Sequence, residues 1–481
     1  MKRKIFLVAF CITVTVVTFC CIFACHQDTG SNKLSLKFRE DGTFKIVQFT
    51  DLHIIDQSPR TAKTVETIRF VLNTEKPDMA VLTGDQTIDK PSQEVFKLIA
   101  SVFDEAKMPF ALVFGNHDAE TITKEEAFSI LSKTPYFLGE AGPQEVSGYG
   151  NYIIPIQASQ SAQTAALLYC FDSGVRGIQH SHVAWYRKES ARLAKEFGDT
   201  IQALAFLHIP LTEYSHIRGK LHTKGQIGEP ISAERLNHGL LASMVEMKDV
   251  MGVFVGHCHE DEAIGLHHNI ALGFGRVGGA DAYGGLERGG RVIELYEDKP
   301  HTFHSWIRVP SGVVNMYYYP AGITADEESM STYLPALAVK PTKQGVSYNY
   351  YEGKFKSVDE LAGKKVVSSG TMPTFSIKEA KASDEFGYAF KTYIKIPVRG
   401  VYCFFTRSDD GSKLLIDGKL VVDNDGSRSA KEKDGVIALE AGFHEVHLLY
   451  FEDYMGEELK VSMITKDRLK TGIPEEWLYA E

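Results

Sequence analysis

Six short apolar runs recur along the first part of this chain, and each stops abruptly in polar residues: FKIVQFTD, MAVLTGD, FALVFGNHD, ALLYCFD, ALAFLHIP and VMGVFVGH. Runs of this length, rich in β-branched and aromatic residues, predict buried strands. Helical patterns lie between several of them, at 61–74 and 92–106. Alternating strands and helices from Phe44 to about Trp306 predict an α/β domain whose sheets are covered by helices. In such folds reactive groups collect beyond the carboxyl ends of the strands, which is where these polar motifs fall.

The motifs are FTDLH at 49–53, TGD at 83–85, GNHD at 115–118, LHIP at 207–210 and GHCH at 256–259. Asp, Asn and His are hard or borderline donors suited to iron, manganese or zinc. Asp51 and His53 are two residues apart, so on an extended strand both face one side, and His257 and His259 repeat that spacing. The same alternation turns Cys258 away. Any one of these histidines alone is more simply a surface or core residue. As an ordered set, Asp51, His53, Asp85, Asn116, His208, His257 and His259 predict a metal centre.

These motifs resemble the calcineurin-like metallophosphoesterases. The texts YCFDSG, FLHIPLTEY and GFGRVGGADAYGG are similar to the branch of Dcr2-type and purple-acid-phosphatase-like proteins. The resemblance implies a metallophosphoesterase-type β-sandwich flanked by helices, over residues 40–310. It implies two metal ions, one held by Asp51, His53 and His259, the other by Asn116, His208 and His257, with Asp85 between them. His117 would stand near the leaving group and Asp118 would orient it. Where purple acid phosphatases carry a tyrosine ligand, this chain has Ile88, which leaves iron, manganese and zinc all open. The chemistry implied is hydrolysis of phosphate monoesters or diesters by a metal-activated hydroxide. Arg276 suits either a phosphate clamp or an ion pair within the fold. Tyr214 and His216 are expected to line the substrate pocket. The adjacent pair His267 and His268 reads as a solvated turn.

Residues 311–343 show no sustained period and are read as a linker or packed extension. Beyond them, FKTYIKI, VYCFFTR, KLLIDG, KLVVDN and EVHLLYFE, punctuated by DDG, DNDG and EAG, predict an all-β sandwich. The segments YNYYEGKFKSVDEL, SDDGSKLLIDGKLVVDNDG and AGFHEVHLLYFE resemble a PA14 domain, over 344–468. That resemblance implies glycan binding, with Asp409 and Asp410 either holding calcium or only building a tight turn.

Lys2, Arg3 and Lys4 precede an uncharged run from Ile5 to Ala24 and then Cys25. A basic flank and an apolar stretch predict export. The text IFAC at 22–25 resembles a bacterial lipoprotein signal, with Cys25 lipidated and residues 1–25 as the signal. An uncleaved anchor and simple secretion are the alternatives, and all three place the body outside the cytoplasm. Cys170, Cys258 and Cys403 are too scattered to form a disulfide framework. With 62 acidic against 52 basic side chains and a net charge of −10, the chain is not built to grip a nucleic-acid polymer. The expected protein is an envelope phosphoesterase held to a membrane by lipid. The rival is a glycan-binding surface lipoprotein on a non-catalytic phosphoesterase scaffold.

Overall fold

The computed structural model describes residues 34–55, 58–88, 93–220, 223–320, 322–323, 327–328, 331–465 and 468–480; the export segment and Cys25 lie outside the described residues. All six apolar runs form strands, and they divide between two sheets. Thr43–Phe49, Met79–Thr83 and Phe110–Val113 run parallel in a six-stranded sheet. Thr164–Cys170, Ala203–Phe206 and Val250–Val255 run parallel in a seven-stranded sheet. Parallel strands covered on both faces need apolar side chains at every position. Accordingly, all residues of MAVLT, FALV, ALAF and VMGVFV are buried.

The sheets face each other, with Phe254 of one against Phe303 of the other at 5.9 Å between ring centroids. The outer face of the six-stranded sheet is covered by helices Thr61–Glu75 and Gln93–Glu105. Helices His180–Phe197 and Leu240–Met247 cover the seven-stranded one, packing Trp185, Tyr186 and Met244 on Tyr169 and Val253. Because the parallel strands of both sheets carry their polar motifs at the carboxyl end, one rim of the sandwich receives all five.

The segment 311–343 begins as a strand, Gly312–Tyr319, antiparallel to Phe303–Val309 at the edge of the six-stranded sheet. Tyr317 and Tyr319 are buried, and the Tyr319 ring stacks on Phe303 at 4.8 Å. The run VVNMYYY escaped a strand reading because its inward positions are tyrosines, which carry a polar tip on an apolar body. Further on, Leu334 and Leu337 donate backbone hydrogen bonds to Ala438 and Phe443 of the C-terminal sandwich. That sandwich consists of a seven-stranded and a four-stranded antiparallel sheet around Tyr350, Phe390, Leu414 and Leu448. Among the described residues no helix is long and apolar enough to cross a membrane.

Tyr317→Ala tests whether the edge strand belongs to the phosphoesterase core. Removing a buried aromatic ring is expected to cost roughly 3 kcal/mol in urea unfolding. A change within about 0.5 kcal/mol, typical of a surface site, would return 312–319 to the status of a loose connector.

Candidate metal centre

In each motif the first donor side chain stands two or three residues past the end of its strand, where the backbone leaves extended geometry. Asp51, His53, Asp85 and His257 have φ of 52°, 43°, 50° and 75°, in the left-handed region that non-glycine residues rarely occupy. Asp51 and His53 therefore reach one site from a curled loop rather than from an extended strand, which corrects the reason given for their spacing. The loops hold one another: Asp51 N–H donates to Gly84 O at 3.0 Å and His53 N–H to Asp85 O at 3.0 Å. No side chain fits at two of the crossings. A Cβ on Gly84 would lie 2.4 Å from the His208 ring, and one on Gly115 would lie 2.1 Å from the Asp85 carboxylate.

Two groups of donors result. Asp51, His53 and His259 form one, and Asp85, His208 and His257 the other, with the donor atoms of each group within 4.8 Å of one another. Asp85 Oδ2 lies 3.2 Å from His208 Nε2 and 3.7 Å from His53 Nε2, so this carboxylate stands between the groups. Its other oxygen accepts from His117 N–H at 2.9 Å. Asn116 Oδ1 is 3.1 Å from His208 Nε2 and joins the second group. A carbonyl can only accept, so His208 Nδ1–H donates to Thr83 O, at 2.9 Å, and Nε2 is left to bind a cation.

The electrostatics fit metal ions. Burial opposes charge on His53 and His208, yet the Asp51 and Asp85 carboxylates raise the two imidazoles to about 9 and about 10. Burial would likewise raise Asp51, but His259 and His53 hold its carboxyl well below the usual range. Asp51 Oδ1 and His53 Nε2 are buried without a hydrogen-bond partner. Unpaired buried donors and acceptors around a strongly negative potential are what divalent cations satisfy.

Residues 44–261 match the family model for calcineurin-like phosphoesterases, and residues 342–477 match that for the PA14 domain. Residues 44–261 form a calcineurin-like phosphoesterase domain. Among curated relatives, "Probable inactive purple acid phosphatase 29" of Arabidopsis thaliana is 29% identical over 61% of this chain and 87% of its own length. "Probable inactive purple acid phosphatase 14" of the same plant is 26% identical over 62% and 86%. "Phosphatase DCR2" of Saccharomyces cerevisiae is 30% identical over 59% of this chain and 56% of its own length.

Within the phosphoesterase domain several predicted residues lie elsewhere than expected. Asp118 does not touch the His117 ring. Its buried carboxylate accepts from the backbone N–H groups of Gln86, Thr87 and Gly115, and so ties two ligand loops together. The partner of the His117 ring is Glu120, with Nδ1 2.5 Å from Oε1. Arg276 is 4% exposed, lies 2.8 Å from Glu262 and lines neither cavity at the centre, which is the ion-pair alternative. Tyr214 is fully buried and donates to Val253 O at 2.7 Å, so it is a core residue. His216 stacks on His267 at 4.7 Å, away from the metal centre. His268 and Asn269, both left-handed, make the hairpin turn between Ile264–His267 and Ile270–Phe274.

Other residues at the site were given no ligand or substrate role from the sequence. Tyr283 stacks on His259 at 3.9 Å, with its hydroxyl 3.0 Å from the Glu229 carboxylate. Ser232 Oγ lies 3.2 Å from His257 Nε2. Cys258 is buried and accepts from Ser232 N–H at 3.4 Å. In the PA14 domain, Asp409 and Asp410 converge with Glu452, which sequence reading had not included. Burial first, then Asp410, pushes the Glu452 carboxyl up to about 8, and its Oε1 has no hydrogen-bond partner.

Asp85→Asn removes the anion shared by the two groups. Elemental analysis is expected to show two metal equivalents in the unaltered protein and fewer than about one in the variant. Two retained equivalents would refute the shared role.

Proposed function

We propose that this protein is a binuclear metal-dependent hydrolase of phosphate esters that works outside the cytoplasm, with its PA14 domain directing it to glycan-bearing surfaces. The observation that carries the hydrolase reading is Asp85 standing between two complete donor groups on one rim of the sandwich. Asp51, His53 and His259 would hold one metal ion, Asn116, His208 and His257 the other, and Asp85 both. A pair of such ions, iron, manganese or zinc, lowers the pKa of a shared water and neutralises phosphate oxygens. His117 faces the same cavity, of about 350 Å3, as His53, Asp85 and His259. Glu120 fixes its ring through Nδ1, leaving Nε2 to protonate the departing oxygen. Tyr283, stacked on His259, walls the cavity on the other side.

A panel of aryl and alkyl phosphate monoesters and diesters, assayed with added manganese, zinc or iron, tests the reading. Turnover is expected with at least one metal. His117→Ala is expected to lose about a hundredfold or more with alkyl leaving groups and much less with aryl ones. Equal losses for both would remove the acid role. No turnover from protein that retains two metals would favour a non-catalytic scaffold, a reading to which the word "inactive" in the plant relatives' names lends support.

Export rests on Lys2, Arg3 and Lys4 before the apolar run and Cys25. Calcium in the PA14 domain rests on the convergence of Asp409, Asp410 and Glu452, three carboxylates that repel one another without a cation. Mass spectrometry of intact protein taken from membranes is expected to show a lipid-modified Cys25 as the first residue and one calcium ion. An unmodified cysteine would remove the lipid anchor, and absence of calcium at saturating concentration would reduce Asp409 and Asp410 to a turn.

A further inference from the structure

A second cavity, of about 290 Å3, opens against the Asn116 and His257 side of the metal centre. It shares His117, Ser232 and His257 as a common wall with the cavity over His53, Asp85 and His259. A molecule held at the metals with its leaving group beside His117 can therefore reach into this second space. Two arginines line it, Arg176 and Arg235, both exposed. Among the described residues neither has a hydrogen bond or an ion pair. By contrast, Arg276 pairs with Glu262 and Arg288 donates to Ala282 O and Leu286 O.

The two loops that carry them are locked together. Gly177, at φ 83°, leaves no room for a side chain, since a Cβ there would lie 2.3 Å from Glu234 Cβ. Glu234 N–H donates to Pro210 O at 2.9 Å, and Ile209 N–H donates to Ser173 Oγ at 3.0 Å, so both loops are anchored on the segment bearing His208. The acidic groups in the same cavity do not cancel the arginines. Glu120 is committed to His117, and Glu234 is buried, with burial pushing its carboxyl up to about 7.

We infer that Arg176 and Arg235 form a subsite for a second phosphate on the leaving group, so that the preferred substrates are bisphosphate esters. This rests on the hydrolase reading for the fate of the first phosphate. Guanidinium forks bind phosphate oxygens in pairs, and with the two loops held together only the arginine side chains remain to be ordered on binding.

The test compares n-alkyl monophosphates with α,ω-alkanediol bisphosphates of increasing chain length, bound to the metal-loaded full chain and followed by calorimetry. At one chain length the bisphosphate is expected to bind about tenfold or more tighter than the monophosphate. Arg176→Ala and Arg235→Ala should each lower that ratio several-fold, and the double variant should bring it near one. Both side chains are exposed, so circular dichroism is expected to show an intact fold. Equal affinity at every length, or a preference that survives the double substitution, overturns the subsite. Tight, arginine-dependent bisphosphate binding with no hydrolysis of any ester overturns the hydrolase reading and leaves the subsite standing. Hydrolysis of monophosphates without any bisphosphate preference does the reverse.

Discussion

The Asp85 carboxylate is confined between His53 and His208, with one oxygen held by His117 N–H, and the rest of the site is arranged around it. A buried carboxylate needs compensating positive charge. Here it shares that need with Asp51, whose own buried oxygen has no hydrogen-bond partner. The chain brings the two acids into one place by forcing Asp51, His53, Asp85 and His257 into left-handed backbone, and by omitting side chains at Gly84 and Gly115. Each such residue costs of order 1–3 kcal/mol, which persists only where the surroundings over-determine it. Cations held between these groups would supply the charge that makes this arrangement favourable. Asp118 reinforces it by tying the loop after Asp85 to the loop bearing Asn116 through three backbone N–H groups.

The sandwich makes that convergence possible. Parallel strands from both sheets end at one rim, so loops far apart in sequence face each other across the interior. Asp51 and His257 are 206 residues apart, yet His257 N–H donates to Asp51 Oδ2 at 3.0 Å. The same rim carries Tyr283 and two arginines, Arg176 and Arg235, that have no ion pair among the described residues.

The C-terminal sandwich has its own core but does not hang free. Leu266 and Ile323 pack against Cys403, Phe405 and Ile464, and Leu34–Glu481 forms one compact unit. A cavity of about 650 Å3 lined by His267, Asn269, Arg407 and Lys470 lies between the modules, away from the metal ligands. Apolar contact thus joins the two modules at this junction.

Sequence alone determined the strands, because strands buried on both faces must be apolar throughout, and this leaves continuous runs that stop where the polar rim begins. It singled out seven candidate donor positions because Asp, Asn and His recur in order just past those strands; Asp51, His53 and His259 stand in one group and Asp85, His208 and His257 in another, with Asn116 beside His208. The reason first given for Asp51 and His53, alternation on a strand, did not survive, because φ is set by the bonds to the neighbouring loop rather than by local propensity. Contacts across the fold decided everything that depends on where a side chain points. Tyr214 and Arg276 sit near the motifs in sequence but turn into the core and into an ion pair. Glu120, Tyr283, Arg176, Arg235 and Glu452 have no periodic or spacing signature, and acquire a role only through what stands opposite them. Apolar periodicity is written along one segment and can be read there, whereas a pairing of polar side chains is a property of two segments whose relative placement only packing sets.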